Sequence, residues 1–181
     1  MRIISGEKKG RKIFSPEGKN IRPTHDMVRE AIFGTLQFEI PGKRILDLFA
    51  GTGAMGLEAL SRGAGFVAFC DNSERAVKII KENIKLLLYE DKTKIIKNNF
   101  ISAIKTFKND VKFDIVFIDP PYASNYYFQT LDNLINNNIL NDGAKIILES
   151  DLPIEYDNEH MKIVKHKKFG KVFITFLEYI E

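Results

Sequence analysis

Two stretches of this sequence carry residue types whose spacing suits chemistry. Asp119-Pro120-Pro121-Tyr122 closes an apolar run, Phe113 to Asp119, that reads as a strand buried on both sides. Proline cannot donate to a sheet, so the ladder stops there and the backbone stiffens. Such a loop aims the Asp119 carboxylate and the Pro120 carbonyl at one point, where two acceptors bind both hydrogens of an exocyclic amino group. Tyr122 adds a flat face on which a base can stack. The plainer reading is a tight turn capped by an aromatic.

The second stretch runs from Ile45 to Gly56. Apolar residues break into a Gly-x-Gly-x-x-Gly turn at Gly51, Gly53 and Gly56, followed by a helix-like run, Leu57 to Arg62. Strand, glycine turn and helix open a nucleotide-binding βαβ unit, in which glycines let backbone pass close to a ligand. Asp71 ends the next apolar run 20 residues after Gly51. There a carboxylate accepts from both ribose hydroxyls of an adenosine, although Asp is also a common turn or capping residue. Asp47 lies inside the first apolar strand, where an isolated carboxylate is costly to bury, so a backbone turn or a cationic ligand group must satisfy it. The glycine pattern alone does not separate nicotinamide from other adenosine-bearing cofactors.

The elements that position these residues alternate. Arg2-Ile3-Ile4 and Arg11-Lys12-Ile13-Phe14 read as two short strands around a turn containing Gly6 and Gly10, a basic hairpin with few apolar contacts of its own. Thr24 is placed to cap a helix through about Phe38 whose Met27, Val28, Ala31, Ile32 and Leu36 recur at helical spacing. Residues 1–40 thus form an extension before a core at 41–181. In the core, strands are expected at Arg44–Phe49, Phe66–Asp71, Lys94–Lys97, Phe113–Asp119 and Ala144–Glu149. Helices are expected after the glycine turn, after a cap at Asn72 or Ser73, around Ile101–Phe107 and from Tyr126 to Asn137. Two final strands, Met161–His166 and Val172–Tyr179, join at Phe169-Gly170-Lys171. The fold class is α/β, a doubly wound Rossmann-like sheet of about seven strands with one antiparallel strand, plus the basic N-terminal hairpin and helix.

The 181 residues fit one domain, and 44% hydrophobic content with 14 Phe supports a sizeable core. No apolar run approaches the ~20 residues that span a bilayer, and no signal peptide is evident, so a cytoplasmic protein is expected. The single Cys70, inside an apolar run, excludes an internal disulfide and reads as a buried small hydrophobe. His25, His160 and His166 are scattered, and no metal site is expected. The net charge of +3 is concentrated at the two ends: Arg2, Lys8, Lys9, Arg11, Lys12, Lys19 and Arg22, then Lys162, Lys165, Lys167, Lys168 and Lys171. Basic ends on a nearly neutral body suit a polyanion, although a charge run is more commonly a solvated face.

The Asp-Pro-Pro-Tyr motif resembles the signature of S-adenosylmethionine-dependent amino-methyltransferases. More narrowly, Arg22-Pro23-Thr24 leading to Val28-Arg29-Glu30, with Asp47-Leu48-Phe49-Ala50-Gly51-Thr52-Gly53, resembles the RsmD family of bacterial 16S ribosomal RNA guanine-N2 methyltransferases. The resemblance covers essentially the whole chain. It implies that Asp47, Gly51, Gly53, Asp71, Asn72, Asn99 and Phe100 bind S-adenosylmethionine and its product S-adenosylhomocysteine, with Asn99 accepting from the adenine amine through its amide oxygen. It further implies that Asp119, Pro120 and Tyr122 hold the target guanine, with Pro121 beside it. Thr24 and Arg29 would sit at the rim, and Arg2, Lys9, Arg11 and Arg22 would contact RNA. Methyl transfer would be a direct in-line displacement, catalysed by positioning and electrostatics. The partner would be small-subunit ribosomal RNA, within a subunit or assembly intermediate, and the enzyme a cytoplasmic monomer.

Other readings explain less. A nicotinamide oxidoreductase leaves the Asp-Pro-Pro-Tyr strand end without a purpose. A DNA adenine-N6 methyltransferase shares both motifs but needs a larger target-recognition region. A protein-glutamine methyltransferase typically has Asn at the place of Asp119. An RNA-binding module explains the basic ends and not the paired acceptors.

Overall fold

The computed structural model describes residues 1–16, 23–121 and 126–181. Arg22 and Tyr122 lie outside the described residues, as does the side chain of Thr24. The elements are α1 (Pro23–Thr35), β1 (Arg44–Leu48), α2 (Ala54–Ser61), β2 (Phe66–Asp71), α3 (Glu74–Leu87), β3 (Thr93–Lys97), α4 (Phe100–Lys105), β4 (Phe113–Ile118), α5 (Tyr126–Asn136), β5 (Leu140–Ser150), β6 (Met161–Phe169) and β7 (Val172–Tyr179). The strands form one sheet in the order β3-β2-β1-β4-β5-β7-β6. Neighbours among β1 to β5 are parallel, and β7 runs antiparallel to both β5 and β6.

Period-two alternation sorts the central strands onto two cores. Ile45, Val67, Phe69, Ile115, Phe117 and Ile147 meet α1, α2 and α3 on one face. Leu46, Leu48, Ala68, Cys70, Val116, Ile118 and Leu148 meet α4 and α5 on the other. Both faces are covered, which is why these strands read as apolar runs rather than alternating ones.

Several details depart from the sequence expectations. The N-terminal segment forms one antiparallel bridge, Arg2 to Lys12, rather than two strands. It is also not poor in apolar contact, since Ile3 and Ile13 are buried in the first core. Polar anchors hold it there. The two Glu58 oxygens accept from the Ile4 and Ser5 amides at 2.7 and 2.9 Å. Ser61 Oγ accepts from Lys8 N–H at 3.0 Å and donates to Ser5 O at 2.6 Å. Asn83 accepts from Phe14 N–H at 2.7 Å and donates back to Phe14 O at 3.1 Å. The segment folds onto the core through side chains 53 to 69 residues away, which local pattern does not display.

Helix α1 starts at Pro23, a favoured first helical residue, so Thr24 stands in the first turn rather than at the cap. It ends at Thr35, and Phe38 beyond it is exposed. Its buried apolar face is Val28, Ile32 and Phe33, with Leu36 buried just past its end; Met27 is 59% exposed. In α3, Val77 and Asn83 join Ile80, Ile84 and Leu87 on the buried face, and Ser73 is the cap. Gly143 does not precede β5 but lies within it, where the pairing with β4 shifts register between Phe113 and Ile115. Between these pairs β5 carries three more residues than β4, since Phe113 pairs with Leu140 and Ile115 with Lys145, and the φ of 74° at Gly143 is one that glycine adopts without strain.

The anchors predict two outcomes. Glu58→Ala strips a buried partner from two amides and from Arg62 Nε, 2.8 Å away, and should cost about 3 kcal/mol in urea unfolding. Gly6→Ala would drive a Cβ to 1.8 Å from Ser61 O at a φ of +84°. Hydrogen exchange at Ile4, Ser5 and Lys8 should lose protection in that variant while the strands keep theirs.

Candidate active site

The carboxyl ends of β1, β2 and β4 frame a crevice of about 380 Å³, within the range of small-molecule sites. One wall is polar: Asp71 and Asn72 end β2, and Asn98 and Asn99 follow β3. The other is aromatic, made by Phe49, Phe100 and Tyr126. Phe100 lies 5.3 Å from Phe49 and 5.1 Å from Tyr126 between ring centres. Phe49 and Tyr126 are nearly parallel, at 8°. Asp119, Pro120 and Pro121 close the end at β4.

The glycine turn shapes this crevice from behind. Asp47, Gly51 and Gly53 are not among the lining residues. Asp47 is buried and accepts from Gly56 N–H at 2.9 Å, so a backbone turn satisfies it. Burial raises its pKa to about 7, the Gly56 hydrogen bond works against the shift, and Asp71 adds to it. Asp71 accepts from Gly51 N–H through one oxygen and from Ser73 N–H through the other, both at 2.8 Å. It therefore does what a turn residue does and still faces the crevice; each oxygen keeps a second lone pair for a ligand hydroxyl.

Asp119 is exposed to the crevice, while the surrounding protein desolvates its carboxyl group. That desolvation, with the charges of Glu149 and Asp47, raises its pKa to about 8. Cys70 is buried against Asn98 O, and burial lifts its thiol to about 12.

Comparison with known proteins places this chain in a family. The model described as Conserved hypothetical protein 95 matches residues 1–178. The chain belongs to this family, the RsmD family. It is 34% identical to Ribosomal RNA small subunit methyltransferase D of Haemophilus influenzae, over 95% of this chain and 90% of that protein. It is 36% identical to the Bacillus subtilis protein YlbH, over 86% and 85%. The solved structure of Escherichia coli yhhF superposes with a TM-score of 0.89 at 31% identity, covering 99% of this chain and 98% of that one.

In this RsmD-family chain, Asp71, Asn72, Asn99, Phe100, Asp119, Pro120 and Pro121 all reach one crevice. Asn99 does so with its amide oxygen engaged, accepting from Ser102 N–H at 2.9 Å as the cap of α4. Arg29 does not sit at the rim. It is buried, and its Nη2 donates to Arg2 O at 2.8 Å and Asp26 Oδ1 at 3.0 Å, which makes it a strut under the N-terminal segment. Arg2, Lys9 and Arg11 are exposed on that segment. Sequence reasoning missed Phe49, Cys70, Asn98 and Tyr126 as lining residues. The signal for Phe49 was a bulky residue at the junction of strand and glycine turn; its φ is 62°, an unusual conformation for an aromatic.

The raised Asp119 pKa has a consequence for stability. Between the ordinary carboxylate value and about 8, the native state holds a proton that the unfolded state has released. Stability contributed through this group therefore falls as pH rises across that window. Asp119→Asn should be more stable than the parent at pH 9, with the difference shrinking towards pH 5, in paired denaturation curves.

Proposed function

We propose that this chain transfers a methyl group from S-adenosylmethionine to the exocyclic N2 amine of a guanine in small-subunit (16S) ribosomal RNA. The observation that carries the reading is the end of β4, where Asp119 and Pro120 border a crevice whose far wall holds Asp71 and Asn72. The donor set suits that cofactor. Asp71 offers lone pairs for ribose hydroxyls, the Asn72 and Asn98 amides border the same wall, and the Phe100 ring gives an apolar face for a planar base. When bound, S-adenosylmethionine supplies an electrophilic methyl on a sulfonium.

The chain's own residues hold the acceptor. Guanine's N2 lone pair is delocalised into the ring and is a poor nucleophile. Hydrogen bonds from its two N–H groups to the Asp119 carboxylate and the Pro120 carbonyl favour a pyramidal nitrogen with its lone pair directed into the crevice. The rate then derives from alignment and from charge placed where the amine becomes positive. As the nitrogen–carbon bond forms and the sulfur–carbon bond breaks, the amine proton becomes acidic; an Asp119 carboxylate with its pKa raised to about 8 is a competent acceptor. The target base must leave its stack to reach this depth. Arg2, Lys9 and Arg11 present a basic surface for RNA phosphates, and the names of the relatives point to small-subunit ribosomal RNA. We place the reaction in the cytoplasm, on RNA within a subunit or assembly intermediate, by a monomer.

Labelled S-adenosylmethionine and small ribosomal subunits lacking the modification test this. The product should be N2-methylguanosine, and Asp119→Ala should lower the single-turnover rate at least about 100-fold. Methyladenosine would keep the chemistry and replace the base. The parent's kcat/KM should rise with pH to a plateau above about 8, a limb that Asp119→Asn removes.

A further inference from the structure

Strand β6 ends the sheet beyond β7, and its outer side meets no strand among the described residues. From Met161 to Leu177 the chain carries five lysines and no acid: Lys162, Lys165, Lys167, Lys168 and Lys171. Lys162 stands opposite Glu178 on β7. From Lys165 onwards the residues opposite are Phe176, Thr175, Ile174 and Phe173, so no carboxylate of the neighbouring strand answers the charge. Glu155 approaches β6 at His166, 3.7 Å from Nε2. None of the ion pairs between described residues involves Lys165, Lys167, Lys168 or Lys171. Aromatic rings hold the ammonium groups in place instead. Lys165 Nζ lies 5.1 Å from the Phe176 ring centre, and Lys168 Nζ lies 5.0 Å from that of Phe173. Lys167 Nζ donates to Thr35 Oγ1 at 2.7 Å, at the end of α1.

The strand register puts this charge at the edge of the sheet that holds the crevice. Leu148 is opposite Ile118 on β4 and Thr175 on β7, and Thr175 is opposite His166. One row thus joins the last residue of β4 to β6. Both β5 and β6 are antiparallel to β7, so β6 runs in the direction of β4. Lys167, Lys168 and then Lys171 in the turn continue past that row, as Asp119 does on β4. Three strand spacings, about 14 Å, separate β6 from β4, a distance that a few nucleotides of chain cover. Lysines on an edge strand also guard against edge-to-edge pairing. A guard would be spread along the edge, whereas the unanswered charge here gathers at the crevice end and extends to Lys171, outside the strands.

Resting on the reading of RNA as substrate, we propose that the β6–β7 hairpin is a second RNA-docking surface, where Lys165, Lys168 and Lys171 bind backbone phosphates beside the target base. It reads no sequence and fixes the direction in which the RNA strand leaves the crevice. The N-terminal basic segment is anchored to α2 and α3, which pack on β1, β2 and β3. The hairpin lies beyond β5, so the two basic surfaces flank the crevice. With ammonium groups already placed by the rings, little side-chain freedom is lost on binding.

The test measures affinity for small ribosomal subunits lacking the modification, across a series of salt concentrations, with S-adenosylhomocysteine present. The triple variant Lys165→Gln, Lys168→Gln, Lys171→Gln should bind at least about tenfold more weakly at low salt, and its plot of log affinity against log salt should be shallower by about 2 to 3. All three side chains are exposed, and retained S-adenosylhomocysteine binding reports an intact fold. A matched variant, Lys78→Gln, Lys81→Gln, Lys85→Gln, makes the same charge change on the exposed face of α3, towards the other end of the sheet. It should keep the parent's slope within about 1. Unchanged affinity and slope in the hairpin variant would overturn the proposal. Equal losses in both variants would do so too, because they would mark an effect of net charge alone. The product nucleoside decides the guanine-N2 reading separately: methylation of another base, with the hairpin variant still weakened, would replace that reading and keep this surface.

Discussion

The close approach of α2 to the sheet at Gly56 is the constraint on which the site depends. A Cβ there would stand 2.3 Å from Phe69 Cε1 and 2.8 Å from Val67 Cγ1, so only glycine lets the helix sit this low on β2. The Asp47 carboxylate on β1 holds it down through the Gly56 N–H. With strand end and helix start pinned this closely, the intervening backbone must reverse tightly. It does so through left-handed conformations at Phe49, Gly51 and Gly53, with φ of 62°, 57° and 76°. Gly53 is fitted closely too, though with more room, its hypothetical Cβ lying 3.2 Å from the same Phe69 ring. The turn that results directs the Gly51 amide at Asp71 and leaves the Phe49 ring on the crevice wall. Here the glycines act mainly through helix packing and chain reversal.

A second layer of anchors ties the N-terminal segment to the same turn. Asn83, fully buried on α3, holds both backbone groups of Phe14 and also donates to Thr52 O at 3.1 Å. One amide thus braces the basic segment and the glycine turn together. Glu58 and Ser61 do the rest of the holding from α2, whose position Gly56 sets. The exposed Arg2, Lys9 and Arg11 are therefore carried on backbone that is already ordered, which lowers the entropy lost when a polyanion binds.

Features confined to one stretch of chain were legible in the sequence. Apolar runs closed by Asp71 and by Asp119-Pro120 announced β2 and β4, and their ends meet at one crevice because parallel strands share a carboxyl edge. Features made by distant partners were not legible. Nothing near Ile3 or Ile13 shows that Glu58 and Asn83 will carry their flanking amides into the core. The inward turn of Phe33 and outward turn of Met27 depend on where α1 meets the sheet, which helical spacing leaves open. Gly143 looks like a strand boundary by composition, yet it falls within the three residues by which β5 outruns β4 between Phe113 and Ile115. Arg29 reads as a surface cation from its type, but the segment folding over it turns it into a buried strut.

The electrostatics of the strand ends follow from the same topology. Parallel strands bring their terminal residues to one edge, and in this sequence β1, β4 and β5 each bring an acid to one face near that edge: Asp47, Asp119 and Glu149. A helix terminus or an arginine could neutralise such a row, yet among the described residues the charges acting on Asp119 are both negative, and its pKa rises to about 8. Ionising Asp119 is therefore unfavourable until hydrogen-bond donors arrive. The free energy that opposes ionisation in the open site is recovered when N–H groups bind, because donors stabilise the charged form and acceptors do not. A crowded carboxylate thus discriminates by the sign of its ligand's edge. The preference for donors belongs to the ionised form; below about 8 the retained proton can be offered to an acceptor instead, so the discrimination sharpens as pH rises.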